Sequence, residues 1–392
     1  TVLAALYYVL NILFPTDYSI DADNPNRIYP QLAMALMAAL SVGVFSVSIK
    51  RIWRNSVMRG FLILLALALI YVLYPLTPLV NLVYVSRMYM AIIVMFALYV
   101  LLLRIKDTGC WIKYVYIMYA FQLAFSLSIL LMDKIGFAGS ATEQFDSNAG
   151  FFLITCIPMA LAIPAKRVRL YIYCILVLAC IYSGQRSAAL AAVASFPFCL
   201  SYLRPCIRKS DLLVSLILGS LVVLPLLADA IQNIHERNVY DIEHDDMGSG
   251  RLVFWGIVLV DYVSHGIVNL IAGNGTNSVA PLLERMYGLA IGAHNGWLDI
   301  LYTFGVIGVL VYGSIQFRFV FRNRKISRML PSMRNMYLII FIIFFVKSST
   351  SHGYFDTDTI PFLTTVAMVE GLAEKKRLRK ADHKKSAISV TQ

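Results

Sequence analysis

Apolar residues in this chain fall in long unbroken blocks, at roughly 2–14, 31–49, 60–79, 88–103, 110–132 and 148–165, then 170–183, 187–203, 212–228, 295–317, 335–349 and 359–372. Open strands cannot satisfy their backbone groups in lipid, so each block predicts a membrane-spanning helix. Twelve such helices put both termini on one side. A further stretch, 252–271, is apolar only from Leu252 to Val260 before Asp261, His265 and Gly266 interrupt it. A span needs about 20 mostly apolar residues, so this stretch predicts a helix lying in the membrane interface, within a large external loop at 229–293.

Composition agrees with the pattern. Hydrophobic residues make up 59% of the 392 positions and charged residues 14%, against about 45 to 50% and about 25% in a soluble domain. A mean hydropathy of +0.72 excludes a soluble globular protein. The expected fold class is therefore all-α integral membrane. One polytopic domain covers 1–372, and a basic, polar tail at 373–392 is expected to be disordered.

The net charge of +12 raises the question of nucleic acid, but its distribution answers a different one. Twenty-six of the 34 basic residues lie in alternate loops: Lys50 to Arg59, Arg104 to Lys113, Lys166 to Arg169, Arg204 to Lys209, Arg318 to Arg334, and the tail. The other side holds only Arg27, Arg87, Lys134, Arg186, Arg237, Arg251, Arg285 and Lys347. The positive-inside rule makes the first side, and both termini, cytoplasmic. No nucleic-acid partner is expected. Cys110, Cys156, Cys174, Cys180, Cys199 and Cys206 fall in spans or at cytoplasmic ends, where no disulfide is expected. The chain has no CxxC, no His/Cys cluster and no internal repeat.

Chemistry is sought where an ionisable group meets membrane depth. The block before Arg186, 170–183, would rise only about 21 Å at about 1.5 Å per residue, short of a hydrocarbon core of about 30 Å. The turn Ser183-Gly184-Gln185-Arg186-Ser187 is then recessed, with Arg186 either facing a cavity or snorkelling to headgroup phosphate. Arg87 has apolar flanks and reads as a site residue or an interfacial anchor. The cluster Asp241-Ile242-Glu243-His244-Asp245-Asp246 lacks EF-hand spacing and a paired histidine, so a solvated face is favoured over a metal site. Arg251, after Gly248-Ser249-Gly250, opens the interfacial helix, where free N–H groups and a guanidinium together favour phosphate. His294, in Ala293-His294-Asn295 at the membrane boundary, is placed to take a proton or to serve as a structural hydrogen-bonding group.

In order, these motifs are the Ser-Gly-Gln-Arg-Ser turn, Ser-Gly-Arg with Trp255 four residues on, Gly273-Asn274-Gly275, Ala-His-Asn and the Gly305-Val306-Ile307-Gly308 helix. Together with the span start Phe145-Asp146-Ser147-Asn148-Ala149, the series resembles the O-antigen polymerase and ligase superfamily over about 148–308. The resemblance implies a GT-C-like, lipid-dependent glycosyltransferase of the bacterial inner membrane, with its site facing the periplasm. It implies no cofactor, no nucleotide sugar and no metal. Its substrates would be undecaprenyl-diphosphate-linked glycan as donor and a glycan hydroxyl as acceptor, and a chain-length regulator protein could be a partner. Arg186 and Arg251 would hold the diphosphate and His294 would act at the acceptor, with Arg87, Asn148, Gln185, Asn295 and Arg285 binding substrate. Thr303 departs from the glutamate that many members carry two residues before the glycine, leaving Asp299 as the nearest acidic substitute.

Polymerase is the favoured activity, on the ground that polymerases are the more diverse class. Ligation to lipid A-core is the alternative. A lipid-linked oligosaccharide flippase, the non-enzyme reading, would need polar residues within several spans and internal two-fold similarity, and neither is clear.

The charge split generates a topology test. In a cysteine-free background labelled with an impermeant thiol reagent in intact cells, Asp245→Cys should label and Arg324→Cys should not. The reverse pattern would overturn the orientation.

Overall fold

The structure, a computed structural model, describes residues 28–73, 81–82, 85, 89–105, scattered positions from 109 to 130, 149–183, 185–204, 251–288, 291–351 and 359–390. Every regular element among them is helical: α1 (Ile28–Ser46), α2 (Ile49–Arg54), α3 (Ser56–Ile70), α4 (Met90–Arg104), α5 (Ala149–Leu161), α6 (Lys166–Tyr182), α7 (Arg186–Leu203), α8 (Arg251–Ser264), α9 (Ile267–Ala272), α10 (Val279–Tyr287), α11 (Gly296–Met329), α12 (Met336–Thr350) and α13 (Ile360–Val390). Four described stretches are long and apolar enough to cross a membrane: Ser56–Leu73, Arg186–Leu203, Gly296–Met329 and Pro331–Thr350. The expected spans at 2–14 and 212–228, with the acidic run 241–246, lie outside the described residues.

Polar contacts fix how the helices alternate. Ser56, at the start of α3, receives Arg318 on its carbonyl and Arg322 on its hydroxyl, both from the later part of α11. Lys376 of α13 donates to the Met329 carbonyl that closes α11, at 2.7 Å, and Lys375 donates to the Ile105 carbonyl beyond α4. Arg169, near the start of α6, donates to the carbonyl of Tyr202 at the end of α7. Tyr202 in turn lies beside the backbone of Met336, which opens α12. One end of the bundle thus collects the basic termini. At the other end, Thr276 Oγ1 donates to the Tyr71 carbonyl just past α3, at 3.1 Å, and Arg251 donates to the Thr350 carbonyl that closes α12, at 2.8 Å. This is the alternation that the charge pattern requires.

A single carboxylate ties the basic end together. Glu370 of α13 is fully buried, and a carboxylate in such a place is costly unless paired and hydrogen-bonded. Arg322 of α11 grips both its oxygens, Tyr337 of α12 donates to Oε1 at 2.6 Å, and Asn55 Nδ2 donates to Oε2 at 2.8 Å. The Asn55 oxygen meanwhile caps α3, accepting from the N–H groups of Val57 (3.0 Å) and Met58 (3.2 Å). Above this network the apolar core packs α11 against α12 through Phe319, Tyr337 and Phe344.

A second, smaller core lies at the opposite end. Phe254, Val258 and Tyr262, spaced by four along α8, pack on Leu282 and Leu283 of α10 and on Tyr302 of α11. The other faces of α8 and α9 leave Leu252, Val260, Val263, Ile267 and Val268 exposed.

The structure corrects several boundaries. The stretch expected as one helix over 252–271 is two, α8 and α9, broken at His265-Gly266, where glycine adopts extended backbone at the start of α9. The block expected at 170–183 starts earlier, at Lys166, because the cationic residues that bound it by hydropathy are good helix formers. The tail expected to be disordered continues α13 as far as Val390. Its Lys, Arg, Glu and Ala content favours helix, and Lys375 and Lys376 anchor it to backbone carbonyls.

The buried ion pair should respond asymmetrically to mutation. Glu370→Leu alone strands the Arg322 charge and should cost about 3 to 5 kcal/mol, whereas Glu370→Leu with Arg322→Met should cost far less. Thermal melts of the purified protein in detergent check this, with equal losses for the single and double variants as the contrary result.

Candidate functional site

The end bearing Thr350 gathers the residues singled out by sequence. Arg251 is the first described residue of α8, and its guanidinium lies at the end of α12, donating to the Thr350 carbonyl. One turn on, Trp255 Nε1 donates to the carbonyl of Ala293, at 2.8 Å. The Ala293 N–H donates to Asp299 Oδ1, at 3.0 Å. Both backbone groups of a fully buried residue are thereby held, one from α8 and one from α11.

His294 follows in the left-handed region, at φ 52°, a conformation that few side chains adopt and that persists only where neighbours enforce it. Its ring stacks on Phe254, centroids 6.4 Å apart. Asn295 Oδ1 then accepts from the N–H groups of Trp297 (3.0 Å) and Leu298 (3.3 Å), capping α11. The histidine is therefore gripped on both sides, by the Ala293 clamp before it and the Asn295 cap after it. Because Phe254 and Trp255 both lie within the first turns of α8, Arg251 and His294 share one corner of the molecule.

The Gly-Asn-Gly motif is explained by a break in α11. Gly305 has φ 62° and ψ −161° inside the helix, which frees carbonyls ahead of it from the helical ladder. Asn274 N–H donates to the Tyr302 carbonyl at 2.8 Å, and Gly275 N–H to the Thr303 carbonyl at 3.0 Å. The approach is so close that a Cβ on Gly273 would lie 2.3 Å from the Thr303 oxygen, and one on Gly305 2.3 Å from the Ile271 oxygen. Thr303, where the family pattern would have a glutamate, is buried and contributes its backbone here.

Arg186 corrects an expectation. It is the first residue of α7, not part of the turn before it, and is half-buried. Gln185 precedes it, buried at the N-cap position. The turn is packed on α5, since a Cβ on Gly150 would meet Ser183 Oγ at 2.5 Å and Gln185 Cβ at 2.7 Å. Since α7 runs antiparallel to α12, Arg186 lies at the same end as the Arg251–Thr350 contact. Arg285 is exposed in the last turn of α10, close enough to Tyr302 to act on it electrostatically. Arg87 and Asn148 lie outside the described residues.

Sequence reasoning missed three features. Asp299 acts on backbone, as the acceptor for Ala293. Lys347, counted only as an external charge, is buried in α12, its ammonium 5.8 Å over the Phe151 ring. The signal was present as one lysine inside an apolar run. Finally, Tyr302 Oη donates to Asp261 Oδ2 at 2.6 Å, and the His265 ring meets Tyr302 edge to face, so a polar clasp fastens α8 to α11. Among the described residues no group of His, Cys, Asp and Glu is arranged to hold a metal ion.

A family model described as O-antigen ligase matches residues 171–313. The match runs from α6 into α11 and takes in Arg186, Arg251, Trp255, the Gly-Asn-Gly turn and His294, and it supports the likeness of this stretch to the O-antigen polymerase and ligase superfamily. No curated protein matches the chain.

The clamp on Ala293 can be tested without an activity. Trp255→Phe keeps an aromatic side chain but removes the indole N–H and leaves a buried carbonyl unpaired, a change worth about 1 to 3 kcal/mol. Amide exchange over 291–296 should accelerate in this variant while exchange in α12 is unchanged. Unaltered exchange over 291–296 would mean that the indole does not hold the loop.

Proposed function

We propose that the chain polymerises undecaprenyl-diphosphate-linked oligosaccharide repeats at the periplasmic face of a bacterial inner membrane, with twelve spans and both termini cytoplasmic. The observation that carries this reading is the joint between α8 and the 293–295 loop, which holds a cationic helix start and a histidine in one corner. Transfer of a glycan needs both. As the acceptor oxygen attacks the anomeric carbon, the bond from that carbon to the diphosphate breaks. Positive charge develops at carbon and negative charge on the departing oxygen.

Arg251 and Arg186 would take up the negative charge, each offering planar paired donors to phosphate oxygens. Their fixed placement makes them effective because little reorganisation is needed as charge develops. His294 would accept the proton from the acceptor hydroxyl. Its enforced φ sets the direction in which the side chain leaves the backbone, the Phe254 ring supports the imidazole, and the Asp299–Ala293 bond fixes where the side chain begins. Lys347 adds buried positive charge at the same end. With cations supplied by the chain, the transfer is metal-independent in this reading, and attack opposite the leaving group makes it inverting. The outward apolar faces of α8 and α9 would rest in the interface, keeping the corner at headgroup depth.

The description of the matched family as a ligase favours a second reading, in which the same corner passes the glycan to lipid A-core. Only the acceptor differs. Purified protein supplied with lipid-linked oligosaccharide alone should lengthen it if it is a polymerase, and should require lipid A-core if it is a ligase.

Three variants test the roles in that assay with excess EDTA. Arg251→Ala and Arg186→Ala should abolish transfer, and the lysine replacements should impair it. His294→Ala should slow transfer by roughly 10²- to 10⁴-fold while still binding donor. Full product from both alanine variants at the arginines, or wild-type turnover in His294→Ala, would remove the assigned roles. Inhibition of the wild type by EDTA would contradict metal independence.

A further inference from the structure

Away from this corner, at the basic end, α2 and α3 meet at Asn55 and enclose a groove of about 770 Å³. Its two walls differ in chemistry. The α3 wall is a stripe including Leu62, Ile63 and Ile70, and the α2 wall brings Lys50, Trp53 and Arg54. Lys50 and Arg54 are exposed, Trp53 is 52% exposed, and the Arg59 guanidinium lies 5.9 Å over its ring. Among the described residues, no carboxylate lines the groove.

These features define an amphiphile with its charge at one end. The stripe from Leu62 to Ile70 rises roughly 12 Å at about 1.5 Å per residue, which fits within one leaflet, half of a hydrocarbon core of about 30 Å. Tryptophan favours the headgroup level, and it stands where the apolar wall gives way to the cations. The basic end is the side that the charge rule assigns to the cytoplasm, whose leaflet is anionic.

We infer that this corner binds an anionic phospholipid of the cytoplasmic leaflet, with Lys50 and Arg54 on its phosphate and an acyl chain along the Leu62 to Ile70 stripe. The site is independent of the proposed glycosyl transfer and stands or falls separately. A bound lipid would brace the angle between α2 and α3, the joint at which Asn55 caps α3 and reaches Glu370.

The test uses the full chain in nanodiscs containing equal phosphatidylglycerol and phosphatidylcholine, with retained lipid counted by native mass spectrometry. The wild type should retain phosphatidylglycerol preferentially. Each cation near an anionic surface is worth about fivefold, so Lys50→Gln with Arg54→Gln should weaken retention by roughly 25-fold. Ala66→Trp, which fills the groove and keeps its charges, should displace the lipid as well. Arg324→Gln with Lys325→Gln removes the same charge from exposed positions of α11 and should have no effect. Equal retention of both lipids by the wild type would overturn the proposal, as would undiminished retention in Ala66→Trp or an equal loss in the α11 variant. A dimer that Ala66→Trp dissociates, with no lipid retained, would make the groove a contact between copies and would also overturn it.

Discussion

A buried carboxylate governs the assembly of the basic end. Glu370 has no route to water, so its charge must be met by groups from other helices, and those that meet it come from α11, α12 and the junction before α3. In an apolar medium helices of similar hydrophobicity slide past one another at little cost, because the surrounding lipid is as apolar as the packed side chains. A paired charge removes that freedom. It sets the register of α13 on α11 to within a hydrogen bond, and it does so where Arg318 and Arg322 also reach Ser56. Such a pair contributes little net stability beside an apolar substitute. Its contribution is specificity of packing.

At the opposite end the governing constraint is the peptide group itself. A helix interrupted at membrane depth exposes carbonyls that lipid cannot satisfy, and irregular backbone survives there only when protein covers it. The turn at Asn274 supplies the missing donors to α11. The same logic applies to Ala293, whose N–H and carbonyl both find side-chain partners. The site is thus built from repaired backbone, and His294 is held in place as a consequence.

Much of this was legible in the sequence for reasons that can be stated. Hydropathy anticipated the apolar helices among the described residues because lipid imposes their length and composition, and the basic segments that it separates meet at one end of the bundle. The order of Arg186, Arg251 and His294 marked residues that the structure collects at one end. What stayed hidden was partnership over long sequence distance. Nothing local to Asn55 foretells a bond to Glu370, 315 positions away, and nothing near Asp299 says that its carboxylate serves a backbone N–H. Trp255 was noticed as part of a motif, but its donor role depends on a loop that arrives from elsewhere in the fold. The helical tail was missed because polarity was read as disorder, although its residues favour helix and its lysines find carbonyls on neighbouring segments.

The break at Gly305 divides α11 into two parts that differ in their polar partners. The portion after it is fastened into the bundle through Tyr312, Phe319 and Arg322. The portion before it, with Asp299 and Tyr302, is bonded to the 273–275 turn and to α8, while its Ile300 and Phe304 sit in the same core as the later portion and Trp297 meets Phe345 of α12. The glycine is itself closely packed, since a Cβ there would lie 2.3 Å from the Ile271 oxygen, so the break redirects the chain without loosening it. The corner holding Arg251 and His294 is therefore joined to the spanning bundle by side chains on both sides of the break, and a displacement of either core is transmitted to the other.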